Sequence, residues 1–556
     1  MLATRSGCGA TGCATPNKVQ AAPGSSVQLQ VSRAAAPQEA AAIYPANYWL
    51  SLLEPPAESE FQTPAAGKGG AGLLTGASQI PATYTSQAAW ISQFKLGCQL
   101  CHQVGSTITR SKTAEMFDLV FRKAASMNVT AESLGRERLV KVLGDWSARI
   151  AAGEVPPQPP RPAGVERNMV ITQWGWGDTF TYAHDEIATD KRHPTMNAHG
   201  PIYGVDLGND HLLIPDPKTH KVSTIKVPTK DGFATPWCKQ TYKALGSEAR
   251  LPDGFSSLGC PAEDGDSGNA DKYHNPANPH NPMLDDTGKV WMTTQIRRQW
   301  AEDLPDFCKD KSEIAKNRHH RQLGYYDTKT KEFNVFELPK TKTGSASGNT
   351  MRIHSNGTVW LNSIAANQVI RLDPATKQFT VFEVPAGIKA GRTANPYGMA
   401  ISGDDKIWFV ENAMNQLGRI DPVTGKIDEF EIPVKNPVAR KGGMDSEGNV
   451  WVGLHGAGKL MKVDYKTTKM TVYTPPTDDA GVYSVQGDTK SHLVWFSEQH
   501  VDKIARFDPA TEAFTEFPLA DAESDPRRIE IDANNPNRIW WSGDLSGRMG
   551  YVELLK

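Results

Sequence analysis

The chain predicts a composite fold: a small all-α domain followed by an all-β, seven-bladed propeller. Three observations predict it. Apolar residues recur at helical spacing between Ser86 and Gly153. A stiff proline-rich break follows at Val155-Pro156-Pro157-Gln158-Pro159-Pro160-Arg161-Pro162. Beyond it, tryptophans at 360, 408, 451 and 495 mark units of one recurring outline, the period of a four-stranded propeller blade.

Residues 1–84 read as tail and linker. Within them, Ser26-Val27-Gln28-Leu29-Gln30-Val31 alternates like a strand, a remnant of a β-sandwich. The apolar Tyr48-Trp49-Leu50-Ser51-Leu52-Leu53 is expected to dock on a neighbouring domain. Residues 85–153 carry the helices. Ala89, Trp90, Ile91 and Phe94 open the first, and Met116, Leu119, Val120 and Phe121 mark a second. A third is expected from an N-cap at Thr130 through Leu139, Leu143, Trp146 and Ile150 to a stop at Gly153. Residues 154–166 form the linker, and 167–556 the propeller.

The first helix runs into Cys98-Gln99-Leu100-Cys101-His102. Two cysteines three apart with a histidine after the second is the attachment pattern of a c-type haem. On a helical turn both thiols face one side and reach the two vinyl groups of one porphyrin, and the adjacent imidazole becomes an axial ligand. A redox dithiol calls for a βαβ neighbourhood and a zinc site for a second ligand pair nearby; the sequence offers neither. The expected cofactor is one covalent haem c, held by Cys98, Cys101 and His102. Met127 is the expected second iron ligand, with Met116, a histidine or an open site as the alternatives.

In the propeller, each unit passes from a Gly or acidic turn to a tryptophan strand, then to Arg/Lys-hydrophobic-Asp-Pro. Gly357–Trp360 running to Asp373-Pro374 matches Lys406–Trp408 running to Asp421-Pro422. Trp291, Trp451, Trp495 and Trp540/Trp541 mark further units, and Ile202–Val227 the first, making seven. The strand Asn168–Gln173 is expected to close the ring against the last unit.

Composition narrows the function. At 556 residues the chain exceeds one ordinary core. A net charge of −2, with acids and bases interspersed, gives no electrostatic footprint for nucleic acid. No apolar run is long enough for a transmembrane helix. Met1–Ala22 lacks the apolar core of a secretory signal, so the recorded start is expected to be truncated. Location, periplasmic or secreted, rests on the haem motif. Cys8 and Cys13 lie in the tail, and the pairing of Cys238, Cys260 and Cys308 stays open.

Trp408-Phe409-Val410-Glu411-Asn412 through Gly418-Arg419-Ile420-Asp421 resembles the repeat of the virginiamycin B (streptogramin) lyase family. Trp495–Glu498 through Lys503–Arg506 resembles it more loosely, and the likeness covers roughly residues 200–556. The helical part resembles the mono-haem cytochrome c domains fused ahead of such propellers. The lyase resemblance implies elimination at the channel mouth, with a histidine base from a Pro-His-Gly and a magnesium ion near glutamate. Here the corresponding positions read Pro279-His280-Asn281, Pro396-Tyr397-Gly398, Arg440 and Pro526-Arg527-Arg528.

Channel candidates are therefore His280, Asn349, Tyr397, Arg440, Tyr483 and Arg528 on inner strands, with Glu411, His455, Glu498 and His500 on the next. Long excursions at Asp231–Pro282 and Arg297–Arg321, and the polar group His184, Asp185, Glu186, Asp190 and His193, are further places for a site. Three readings result. In the first, an extracytoplasmic electron-transfer haem protein, an oxidoreductase, uses its propeller to bind a redox partner protein or a small polar or anionic organic ligand. In the second, the propeller is a carbon–oxygen lyase using magnesium, with an auxiliary haem. In the third, it is a non-catalytic protein-binding platform.

Overall fold

The structure is a computed structural model. It describes residues 3–4, 19–20, 33–61, 86–99, 103–123, 125–175, 183–188, 200–206, 211–227, 279–294, 322–341, 344–345, 350–363, 367–391, 393–543 and 547–555. Outside these lie Cys8, Cys13, Ser26–Val31, Leu100, Cys101, His102, Asp190, His193, Cys238, Cys260, Cys308, Asn349 and nearly all of the two long excursions.

Seven four-stranded antiparallel sheets form the propeller. Blade 1 spans Ala183–Lys226, blade 2 Pro279–Glu337, blade 3 Met351–Glu383, blade 4 Pro396–Glu431, blade 5 Ala439–Tyr473 and blade 6 Val482–Pro518. Blade 7 takes three strands from Pro526–Leu554 and its outer strand, Met169–Gly175, from the start of the propeller segment, pairing Met169 with Leu554 through Gly175 with Arg548. That strand fastens the two ends of the ring together.

The tryptophans explain why the blades stay packed. Each lies on the second strand of its blade and is buried in a core shared with the next blade. Trp360 joins blade 4 residues Met399 and Phe409, Trp408 joins Val450 and Val452, and Trp451 joins Val485 and Phe496. Each also stacks on an aromatic of its own fourth strand: Trp360 on Phe382, Trp408 on Phe430, Trp451 on Tyr473 and Trp495 on Phe517. Such pairs add about 0.5–1.5 kcal/mol each beyond burial. The aspartate at the end of the third strand, followed by proline in blades 3 and 4, has a separate task. Oδ1 of Asp373, Asp421 and Asp464 accepts backbone N–H bonds from residues two and three ahead, which shapes the turn between the third and fourth strands.

The helical part contains α1 (Pro37–Ala41), α2 (Ala46–Leu50), α3 (Gln87–Phe94), α4 (Thr107–Arg110), α5 (Ala114–Lys123), α6 (Ala125–Leu134) and α7 (Arg136–Ala151). The chain leaves α3 through a π-helical turn, Lys95–Gln99, that carries Cys98. Trp90, Phe94, Phe117, Phe121, Leu139 and Trp146 form its core, joined by Phe61 from upstream. Trp49 is buried and packs with Tyr44 against Ile150, and its carbonyl accepts the Trp146 Nε1–H at 3.0 Å, so the apolar 48–53 piece docks on the helices. α7 ends where Gly153 takes φ 107, a conformation that costs glycine little.

Two sequence expectations change. Thr130 is not an N-cap: it lies inside α6, and the break before α7 falls at Gly135, whose φ is 81. The π-helical turn crosses α6 closely at Thr130, since a Cβ on Gly97 would stand 2.5 Å from Thr130 Cγ2. On α5 the buried stripe is Phe117 and Phe121, stacked at 6.1 Å, while Met116 is 52 % exposed.

Candidate functional site

The inner strands of six blades share one irregularity. Their register with the second strand slips just after the strand begins, between Ala183 and Ile187, His280 and Met283, Pro396 and Met399, Ala439 and Gly442, Val482 and Val485, and Pro526 and Arg528. A bulge re-aims the side chain it carries. Here it sets Tyr397, Arg440, Tyr483 and Arg527 together at one end of the channel. Tyr397 Oη and Tyr483 Oη hydrogen-bond at 2.8 Å. The Arg440 guanidinium lies over both rings, 5.0 Å from Tyr397 and 5.2 Å from Tyr483, and Arg527 lies over Tyr483 at 5.3 Å. His280 is buried at the corresponding place in blade 2.

Arg528, the expected blade 7 member, points elsewhere. It bonds Glu530 and approaches the Met283 sulfur at 3.6 Å. Deeper in the channel Arg352 donates to the carbonyls of Met351 and, across blade 4, of Gly442. Burial, reinforced by the Arg528 charge, pulls Arg352 down to about 9. Arg352, Arg527 and Glu530 were not singled out from sequence.

His455 and His500 sit on short 3-10 turns after the second strands of blades 5 and 6, rather than on the strands themselves. Their rings meet edge to face at 4.6 Å, and His455 meets Tyr483 the same way at 5.6 Å. His455 Nε2 donates to Gln499 Oε1 at 2.7 Å. Burial, then the His500 and Arg440 charges, holds His455 well below the usual imidazole range, so it is neutral. Burial also lowers His500, whose two ring nitrogens face the carbonyls of Asp479 and Gln99, each at 3.1 Å.

Glu411 and Glu498 end their second strands fully buried, each beside a fourth-strand carboxyl, Glu429 and Glu516. Burial, then that neighbour, pushes Glu411 up to about 8 and Glu498 well above the carboxylate range. Both carboxyls are thereby shifted toward the protonated form. The structure joins neither to the tyrosine–arginine group.

The bond from His500 to Gln99 links the propeller to the segment carrying the cysteine motif. Gln103 Nε2 donates to the Gln499 carbonyl and, at 2.9 Å, to Asp502 Oδ1. Backbone amides of Glu523 and Asp525 complete the Asp502 carboxyl, yet burial outweighs them and raises it to about 6. Lys95 pairs with Asp479 at 2.5 Å, and Thr107 donates its backbone N–H to Glu523 at 2.6 Å. Lys95, Gln99, Gln103 and Thr107 thus contact blade 6 and the loops on either side of it, next to the channel residues.

Cys98 is partly buried and packs on the core of Trp90, Phe94 and Phe121. Met127, on α6, packs on the same core. Cys98 and Met127 thus contact the same apolar cluster, and a thiol and a thioether are donor types that a covalent haem would use. His184, Asp185 and Glu186 lie on the inner strand of blade 1. No helix among the described residues is long and apolar enough to cross a membrane.

Residues 309–555 match the model of the virginiamycin B lyase family. No curated relative matches the sequence. Among solved structures, the chain is similar to a catalytically inactive virginiamycin B lyase from Staphylococcus aureus with quinupristin, at 16 % identity and a TM-score of 0.50, covering 70 % of this chain and 100 % of that one. It is likewise similar to a streptogramin B lyase structure, at 16 % identity and a TM-score of 0.50, covering 71 % of this chain and 100 % of that one. At that identity the likeness carries the architecture, and the conclusion it supports is a seven-bladed, virginiamycin B lyase-like propeller.

Proposed function

We propose that this is an extracytoplasmic c-type haem protein, periplasmic or secreted, in which the propeller channel is a binding platform for the species that exchanges electrons with the haem. Cys98 and Cys101 would hold the porphyrin, and His102 and Met127 would ligate the iron. When bound, the group supplies one-electron transfer at short range. The single observation that carries the reading is the contact of Lys95, Gln99 and Gln103, which flank the cysteine motif, with Asp479, His500, Gln499 and Asp502 beside the channel. A haem-bearing turn held there brings the cofactor beside the channel residues without a diffusing partner.

The test is intact-protein mass spectrometry after expression with periplasmic haem-attachment machinery. One covalently added haem, absent from the Cys98→Ala/Cys101→Ala variant, is expected. Unmodified polypeptide in both would refute the reading. The family match over residues 309–555 favours a second reading, carbon–oxygen lyase chemistry in the propeller. Of the positions compared, only His280 supplies the expected histidine, while Tyr397, Arg440 and Arg527 stand at the others. Magnesium-dependent ring opening that disappears in His280→Ala would select this second reading.

A further inference from the structure

We propose that the blade 5 rim is the adjustable part of the channel mouth: a strained left-handed turn at Val438 holds it, and release of that turn moves Arg440 and His455 together. This rests on reading the channel mouth as the binding platform and adds how that site adapts to what it binds.

In blades 4 to 7 the residue just ahead of the inner strand takes a positive φ: Asn395 (55), Val438 (38), Gly481 (65) and Asp525 (51). Two positions further on stand Tyr397, Arg440, Tyr483 and Arg527, the members of the channel group. The turn therefore sets the aim of each of these side chains. Glycine enters the left-handed region freely, and asparagine and aspartate tolerate it. Valine does not: its Cβ crowds the following carbonyl oxygen, and a β-branched residue there is an outlier. Of these four blades, only blade 5 builds the turn from such a residue.

The same turn is more weakly tethered than its counterparts on either side. After the second strand of blade 4, the amides of Asn412 and Ala413 donate to the carbonyls of Asn395 and Ala394. In blade 6, Gln499 and His500 donate in the same way to Gly481 and Ala480. In blade 5, Gly456 donates to Pro437 at 3.0 Å, but among the described residues the His455 amide makes no matching bond to Val438. Side-chain packing stands in its place. Val438 is buried, and a Cβ on Gly456 would lie 2.6 Å from its Cγ2. Val438 and the turn His455–Ala457 are thus packed side by side, so displacing one displaces the other. Arg440 follows the first, and His455 belongs to the second. Strain of this kind persists only where surrounding packing enforces it, and it collects at ligand sites and switch regions.

The test is amide hydrogen exchange of the full-length wild-type protein, read by mass spectrometry at single-residue resolution. Ala413, Gly456 and His500 stand at one register position, each donating to the residue ahead of its turn. Gly456 is expected to show a protection factor at least about tenfold below the other two, because the blade 5 rim opens locally at lower cost. Val438→Gly and Val438→Ala then isolate the strain. Both remove the valine side chain, and at ordinary positions glycine is the less stable of the two. At a left-handed position the order reverses, so Val438→Gly is expected to melt above Val438→Ala. Equal protection of the three amides, or Val438→Ala melting at or above Val438→Gly, would each overturn the proposal. The exchange comparison uses wild-type protein alone, so it stands even where a variant fails to fold. Neither readout involves the haem, so this proposal and the haem reading can fail separately.

Discussion

Replacing Glu411 with glutamine should flatten the pH dependence of the propeller's stability. Glu411 ends the second strand of blade 4, fully buried, with Glu429 as its acidic neighbour. Burial moves it from 4.5 to about 8. Below pH 4.5 the carboxyl is protonated in both the folded and unfolded chain, and its stabilising contribution is fully present. As pH rises toward 8 the unfolded chain ionises there while the folded one does not, so stability falls; above about 8 the loss is complete. Holding the proton that far up corresponds to about 5 kcal/mol over the whole window. Glutamine keeps the shape and hydrogen-bonding capacity but does not titrate. Urea denaturation at about pH 5 and about pH 8.5 measures the difference directly. The wild type is expected to lose more stability between the two conditions than Glu411→Gln, by an amount approaching that figure. Identical losses would refute the reasoning, showing that the carboxyl is ionised and hydrated at neutral pH.

Two further outcomes test the parts that position the site. Gly97→Ala places a methyl 2.5 Å from Thr130 Cγ2 and should cost about 1–3 kcal/mol, with much of the loss restored by Thr130→Ala; additive thermal losses would contradict the close crossing of the π-turn and α6. The double variant Gln103→Ala/His500→Ala removes three side-chain bonds between the helices and the propeller, each worth about 1 kcal/mol. It should raise the radius of gyration in small-angle scattering while strand circular dichroism stays unchanged; unaltered scattering would show that these bonds do not hold the parts together.

The blade architecture was legible because it repeats. A buried tryptophan on the second strand of blades 2 to 7, and an aspartate shaping the third turn of blades 1 to 6, recur often enough to set the period. Placing single residues by counting back from the tryptophan worked for Tyr397 and Arg440, where the turn between first and second strands is short. It failed in blade 7. There the turn from Asp532 to Arg538 is longer than its counterpart from Asp445 to Asn449, so Arg527, rather than Arg528, reaches Tyr483. Arg352 and Glu530 were missed for a different reason. They lie deeper along the inner strands, and only the closure of the ring brings them together. The seating of Gln103 on Asp502 and Gln499 joins residues almost 400 positions apart and leaves no local sequence pattern. Helix ends were also obscured: Thr130, whose chemistry suits a cap, lies inside α6 beside Gly97.

The most direct test of the account is a visible spectrum of the full-length protein after periplasmic maturation, oxidised and then reduced with dithionite. The expected result is a sharp reduced α-band that survives acid–acetone extraction, as thioether attachment through Cys98 and Cys101 requires. A colourless protein, or a colour removed by extraction, would contradict it.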